Sequence, residues 1–264
     1  VADLKTQSPY AFASLILFLL HLPLLVIARG EFTDGVLQAA YFDEPLYVHA
    51  PGAPPARYVP PLYPGLIWVV SRTGCDPLMA GRLLSLAAYS LGAFLLAWVA
   101  RLLFEGVKGK QIAWLAWAYW ALSPMANRWS IHCMSDMLFT CFTLASLACF
   151  VVASKAALRG CSPEQVLELP PSHPHRLWLL GQVLGLTALW TRYQGVALVA
   201  ASLLAWWMIR PRVKAVQSVL ALLVWVASLI LLKQGLGIHG GQFSERAVYP
   251  WEIYGRFAVA AFQY

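Results

Sequence analysis

With 264 residues, 60% of them hydrophobic and only 12% charged, the chain departs from a soluble composition, in which about 45–50% of residues are apolar and about 25% charged. The apolar residues fall in long runs and the mean hydropathy is +0.63, so too few charges remain to cover a soluble surface. This excludes an ordinary soluble domain and intrinsic disorder, and five cysteines make no secreted disulfide framework at this length. The net charge of +7 comes from basic residues scattered between apolar runs. That distribution reads as membrane orientation and not as phosphate-backbone binding, so no nucleic-acid partner is expected.

About 20 predominantly apolar residues cross the hydrocarbon layer as a helix. Tyr10 to Ala28 supplies a first span, an uncleaved anchor because no small-residue cleavage site follows it. Leu78 to Phe104 is a second, interrupted only by Arg82 and Arg101, and Ile112 to Leu122 a short third that Pro124 ends. Met134 to Ala153 is a fourth. Leu177 to Met208 is too long for one helix and reads as a hairpin turning at Thr191-Arg192-Tyr193, and Ala215 to Leu232 follows as a further span. The fold expected is an all-α polytopic membrane protein of about seven transmembrane helices, with amphipathic interfacial helices in the first external loop. Residues 1–254 form one module with its external loop at 29–77, and 255–264 open a further span cut short at Tyr264.

Lys and Arg concentrate in cytoplasmic loops. Arg101, Lys108 and Lys110 follow the second span, Lys155, Arg159 and Arg176 flank the linker after the fourth, and Arg210, Arg212 and Lys214 follow the sixth. These alternate loops share one side, which places the N-terminus in the cytoplasm. Glu31, Asp34, Asp43, Glu44, Asp76, Asp136, Glu245 and Glu252 then lie outside, most of the chain's 12 acidic residues. The external segment Arg29 to Thr73 exceeds a simple turn. Val36 to Tyr47 has amphipathic helical spacing, Ala50 to Pro64 is proline-rich and stiff, and Leu66 to Val70 is a second amphipathic piece. Two interfacial helices joined by a rigid loop on the outer leaflet fit this pattern.

Several ionisable residues sit at that outer boundary. Asp34, just past the first span, suits a general base if a hydroxyl comes within hydrogen-bond reach; it, or Thr33, equally suits a helix N-cap. Asp43 and Glu44 are adjacent, so on a helix at most one can join Asp34. Asp136 opens the fourth span behind Arg128 and His132. Charged groups at the mouth of an apolar helix are costly unless paired or used, and His132 with Asp136 offers ligands for a divalent metal ion. Ser135 or Asp136 also complements the positive helix end. Arg82 near the start of the second span, Arg192 in the hairpin turn, Arg128 and Arg57 can converge on a phosphate through their guanidinium forks. Cys75 and Cys133 fall on the external side, where a disulfide is permitted, whereas Cys141, Cys149 and Cys161 should be free thiols.

Taken in order, Phe32-Thr33-Asp34-Gly35, Pro60-Pro61-Leu62-Tyr63-Pro64-Gly65-Leu66, Gly81-Arg82-Leu83-Leu84-Ser85, Met134-Ser135-Asp136-Met137-Leu138 and Leu189-Trp190-Thr191-Arg192-Tyr193-Gln194-Gly195 form a pattern. It resembles the GT-C glycosyltransferases, in particular the protein-mannosyltransferase and aminoarabinose-transferase-like group (glycosyltransferase family 39 type). The resemblance implies transfer of a sugar from a polyprenyl-phosphate donor to an acceptor at the external face, with inversion, in a bacterial inner membrane. It assigns the base role to Asp34 and a supporting, metal-binding role to Asp136, with the arginines on the donor phosphate. Members of that group are usually longer, so the chain would be an N-terminal catalytic module. In relatives a second acid often follows the first closely, whereas here Gly35 follows Asp34. The competing reading is a non-catalytic relative packed as an accessory subunit against a larger membrane complex. A transporter is a third class, but no internal repeat of the kind common in transporters is found.

Overall fold

A computed structural model describes residues 4–27, 60–104, 106–159, 174–209 and 215–232, and all regular structure among them is helical. In chain order these are α1 (Leu4–Ile27), α2 (Leu62–Ser71), α3 (Pro77–Leu103), α4 (Gly106–Leu122), α5 (Pro124–Ser130), α6 (Ser135–Arg159), α7 (Pro174–Thr191), a 3₁₀ turn (Tyr193–Ala197), α8 (Leu198–Ile209) and α9 (Ala215–Ile230). Among the described residues three helices are long and apolar enough to cross a membrane: Ser8–Ile27, Pro77–Leu103 and Ser135–Ala157. The remaining apolar helices are shorter, so the described residues carry three spans of full length where about seven were expected. Arg29 to Val59, including the amphipathic stretch Val36 to Tyr47, and everything after Leu232 lie outside the described residues.

The helix boundaries have local causes. Asp76 caps α3, its carboxylate accepting from Met79 N at 3.0 Å, with Pro77 in the first turn, where no donor is lost. Gly74 turns α2 into α3 at φ 91°, a conformation that a Cβ disfavours. Ser123 caps α5 with Pro124 behind it, so the proline that ends α4 also starts the next helix. α4 begins already at Gly106, beyond the apolar stretch from Ile112; Lys108 and Lys110 are exposed in that extra turn. α6 likewise runs past Ala153 to Arg159.

α3 and α6 form the centre. α3 packs against α1, α4 and α6, while α6 also packs against α7 and α8. Small residues permit this closeness, as in other membrane helix pairs. A Cβ at Gly181 would lie 2.4 Å from the Phe150 ring, and one at Gly185 would lie 2.9 Å from Trp225. One group of buried polar side chains in the second half is mutually satisfied, whereas Thr143 Oγ1, Trp206 Nε1 and Ser218 Oγ are buried without a hydrogen-bond partner among the described residues. Trp225 Nε1 donates to Gln182 Oε1 at 2.9 Å, Gln182 Nε2 donates to Ser202 Oγ, and Ser146 Oγ donates to Gly181 O at 2.8 Å. The contacts of Trp178 and Gln182 with Ser202 make α7 and α8 the antiparallel hairpin expected, with its break at the extended Arg192. By contrast, α1 and α9 leave large apolar side chains uncovered, Leu20 being 68% and Val216 66% exposed. Such faces suit lipid and would be anomalous in water.

α6 spans about 37 Å at the helical rise of about 1.5 Å per residue, so its two ends lie far apart. Asp136 is at one end and Arg159 at the other, and Lys108 shares the latter end through the α3–α4 connection. We expect cysteines placed at 108 and at 34 in a background lacking the native thiols to differ in labelling by an impermeant maleimide on intact cells. Equal labelling of Lys108→Cys and Asp34→Cys would overturn the orientation drawn from the basic loops.

Candidate functional site

The end of the bundle that carries Asp136 collects the C-terminus of α1, the N-termini of α3 and α6, and the C-terminus of α7. Two side-chain contacts show this. Arg82, in the second turn of α3, donates from Nη1 to Leu25 O at 3.0 Å. That carbonyl lies in the last described turn of α1. Arg192, between α7 and the 3₁₀ turn, forms an ion pair from Nη1 to Asp136 Oδ2, with the two side chains 29% and 18% exposed. Arg192 Nε also lies 3.5 Å from Gln194 Oε1.

The Asp136 carboxylate therefore lies in the first turn of α6, where it complements the positive helix end, and it neutralises a half-buried guanidinium. Thr140 reinforces this turn by donating to Asp136 O at 2.8 Å. Of the four arginines expected around a phosphate, Arg192 meets Asp136 and Arg82 binds the end of α1. Arg128 is exposed on α5, and Arg57 lies outside the described residues. Asp34, Asp43 and Glu44 also lie outside them. His132 is half-buried in the turn between α5 and α6. Among the described residues no group of three or more His, Cys, Asp or Glu comes together to hold a metal ion. Asp136, the carboxylate expected as a metal ligand, faces the Arg192 guanidinium.

An open groove of about 560 Å³ is lined by Pro61, Leu62, Gly65, Leu66, Trp68 and Val69 of the Pro-Pro-Leu-Tyr-Pro segment and α2, together with Trp190 of α7. Trp190 is two residues from Arg192 in the chain. At the far end of α2, Arg72 stacks over the Trp68 ring at 4.6 Å, the arrangement of an amphipathic residue at a boundary between apolar and polar surroundings. The groove is apolar throughout its lining.

Cys75 and Cys133 are free thiols, so the permitted disulfide is not formed; Cys133 is wholly buried instead, against Gly81 and Tyr63. Cys141 and Cys149 are free as expected, and Cys161 lies outside the described residues. The residues that sequence reasoning passed over are polar ones inside the helical bundle. Asn127 Nδ2 donates to Ala121 O and Ser123 O, both at 2.8 Å, while its Oδ1 lies 2.7 Å from His21 Nε2 and 3.1 Å from the Tyr89 hydroxyl. Together these tie α1, α3 and the α4–α5 corner. Asp76, counted among the outer acids, is a cap, and Asp76-Pro77 was a readable signal for it. Comparison with protein-family models, characterised proteins and solved structures returned no match.

Proposed function

We propose that the chain transfers a sugar from a polyprenyl-phosphate-linked donor to an acceptor at the external face of a membrane, inverting the anomeric centre. The observation that supports this reading is an apolar groove walled on one side by Trp190, two residues before the Arg192 that pairs with Asp136. Apolar lining with a guanidinium two residues along the chain suits an amphiphile with a long hydrocarbon tail and an anionic head. The tail would displace water from Leu62, Leu66 and Trp190, and the phosphate would compete with Asp136 for Arg192 through charge-assisted hydrogen bonds. Release of the Asp136 carboxylate would place an acceptor of protons or hydroxyl hydrogen bonds next to the departing phosphate. In this scheme Asp34 takes the proton from the acceptor hydroxyl, the acceptor oxygen bonds to the anomeric carbon, and that carbon's bond to the phosphate oxygen breaks. The guanidinium stabilises the charge left on the phosphate.

The test is release of polyprenyl phosphate from a radiolabelled polyprenyl-phosphate sugar by the full chain in nanodiscs, with polyprenyl phosphate binding measured in parallel. Arg192→Gln is expected to weaken binding by about 10- to 100-fold, the loss of a charged hydrogen bond of about 1.5–3 kcal/mol. Asp136→Asn leaves Arg192 available and is expected to retain binding while lowering turnover. Equal binding by wild type and Arg192→Gln, or no release with any sugar donor, would refute the reading.

A further inference from the structure

We propose that Tyr63 and Ser85 are positioning residues that set where α6 begins and hence where Asp136 meets Arg192; the proposal rests on the transferase reading for its functional consequence. Tyr63, on the first turn of α2, is fully buried, and so is Ser85 on α3. A buried hydroxyl must be paired, and these pair with each other at 2.8 Å. The Tyr63 hydroxyl also donates to Gly81 O at 2.8 Å and lies 3.7 Å from Cys133 Sγ. Ser85 Oγ grips the backbone of Met134 from both sides, accepting from its N–H at 3.2 Å and lying 3.0 Å from its carbonyl as donor. The two hydroxyl protons fill two of these contacts at a time: Ser85 donates to Met134 O while Tyr63 donates to Gly81 O or to Ser85 Oγ, and in the latter state the bonds run from α2 through α3 to residue 134.

Residue 134 is the last before α6, and Asp136 stands in the helix's first turn. The approach is tight: Met134 N donates to His132 O at 2.9 Å. It is also held sterically, because a Cβ at Gly81 would lie 2.2 Å from Cys133 Sγ. The same stretch of α3 carries Arg82, bound to the end of α1. Residues 81–85 therefore anchor α1, α2 and the start of α6 together, and neither Tyr63 nor Ser85 touches the ion pair itself in the contacts described. Their influence on Asp136 passes through Met134.

The test uses Tyr63→Phe and Ser85→Ala in the full chain in nanodiscs, since each removes one hydroxyl and keeps the rest of the side chain. Alkylation of Cys133 is quantified by peptide mass spectrometry against Cys141, another buried thiol in the same molecule. Release of polyprenyl phosphate is measured as kcat and KM separately. Each variant is expected to raise the Cys133-to-Cys141 labelling ratio about tenfold and to lower kcat about tenfold at unchanged KM. The double variant is expected to be no worse than either single one, because both break one chain of bonds. An unchanged labelling ratio in both variants, or an effect on KM alone, would overturn the proposal. If wild type releases no polyprenyl phosphate the transferase reading falls, and the labelling ratio still decides whether these hydroxyls hold the loop before Asp136.

Discussion

Asp34→Asn is expected to lower the rate of sugar transfer by about 10²–10⁴ with little change in folding or in polyprenyl phosphate binding. The substitution keeps the shape of the side chain and removes its capacity to accept a proton. It also separates the two roles that the residue type permits, because Asn caps a helix about as well as Asp. A capping Asp34 would leave the rate untouched, whereas a base would not. Asp136→Asn provides the comparison: it breaks the ion pair with Arg192, so its effect includes a displaced guanidinium as well as a lost carboxylate. Turnover of Asp34→Asn within twofold of wild type, in an assay where wild type is active, would remove Asp34 from the chemistry.

Gly195→Ala is expected to destabilise the chain by about 3 kcal/mol or more, at the upper end of overpacking effects, lowering the thermal midpoint by about 6–12 °C. A Cβ at this position would lie 2.4 Å from Leu189 N, 2.5 Å from Leu189 Cα and 2.8 Å from the Ala188 carbonyl carbon. These are backbone atoms of the last turns of α7, so no side-chain rotation relieves the clash. The 3₁₀ turn must move away from α7, and Arg192, held by Gly195 N donating to its carbonyl at 3.0 Å, moves with it. The variant should therefore lose the Asp136 contact as well as stability. Gln194→Ala, on the exposed side of the same turn, is the control and should stay within about 0.5 kcal/mol of wild type. Comparable melting of Gly195→Ala and Gln194→Ala, followed by tryptophan fluorescence, would contradict the packing described.

The apolar runs, the proline at 124 and the polar triplet at 191–193 were enough to place most helices and the hairpin, because each acts on its own stretch of backbone. Composition, with 12% charged residues, pointed to a lipid-facing chain, and the long continuous apolar runs selected helices over the alternating pattern of a closed barrel. Boundaries such as the early start of α4 at Gly106 escaped notice because exposed lysines extend a helix without extending its apolar pattern. Arg192 and Asp136 were each legible as expensive boundary charges, but four arginines were available. Which one reaches the carboxylate depends on how α6 packs against α7, through Gly181 and Phe150. Likewise nothing local marks Tyr63 and Ser85 as partners or Gly195 as irreplaceable. Those properties arise from distances between helices that are remote in sequence, and only the tertiary packing sets them.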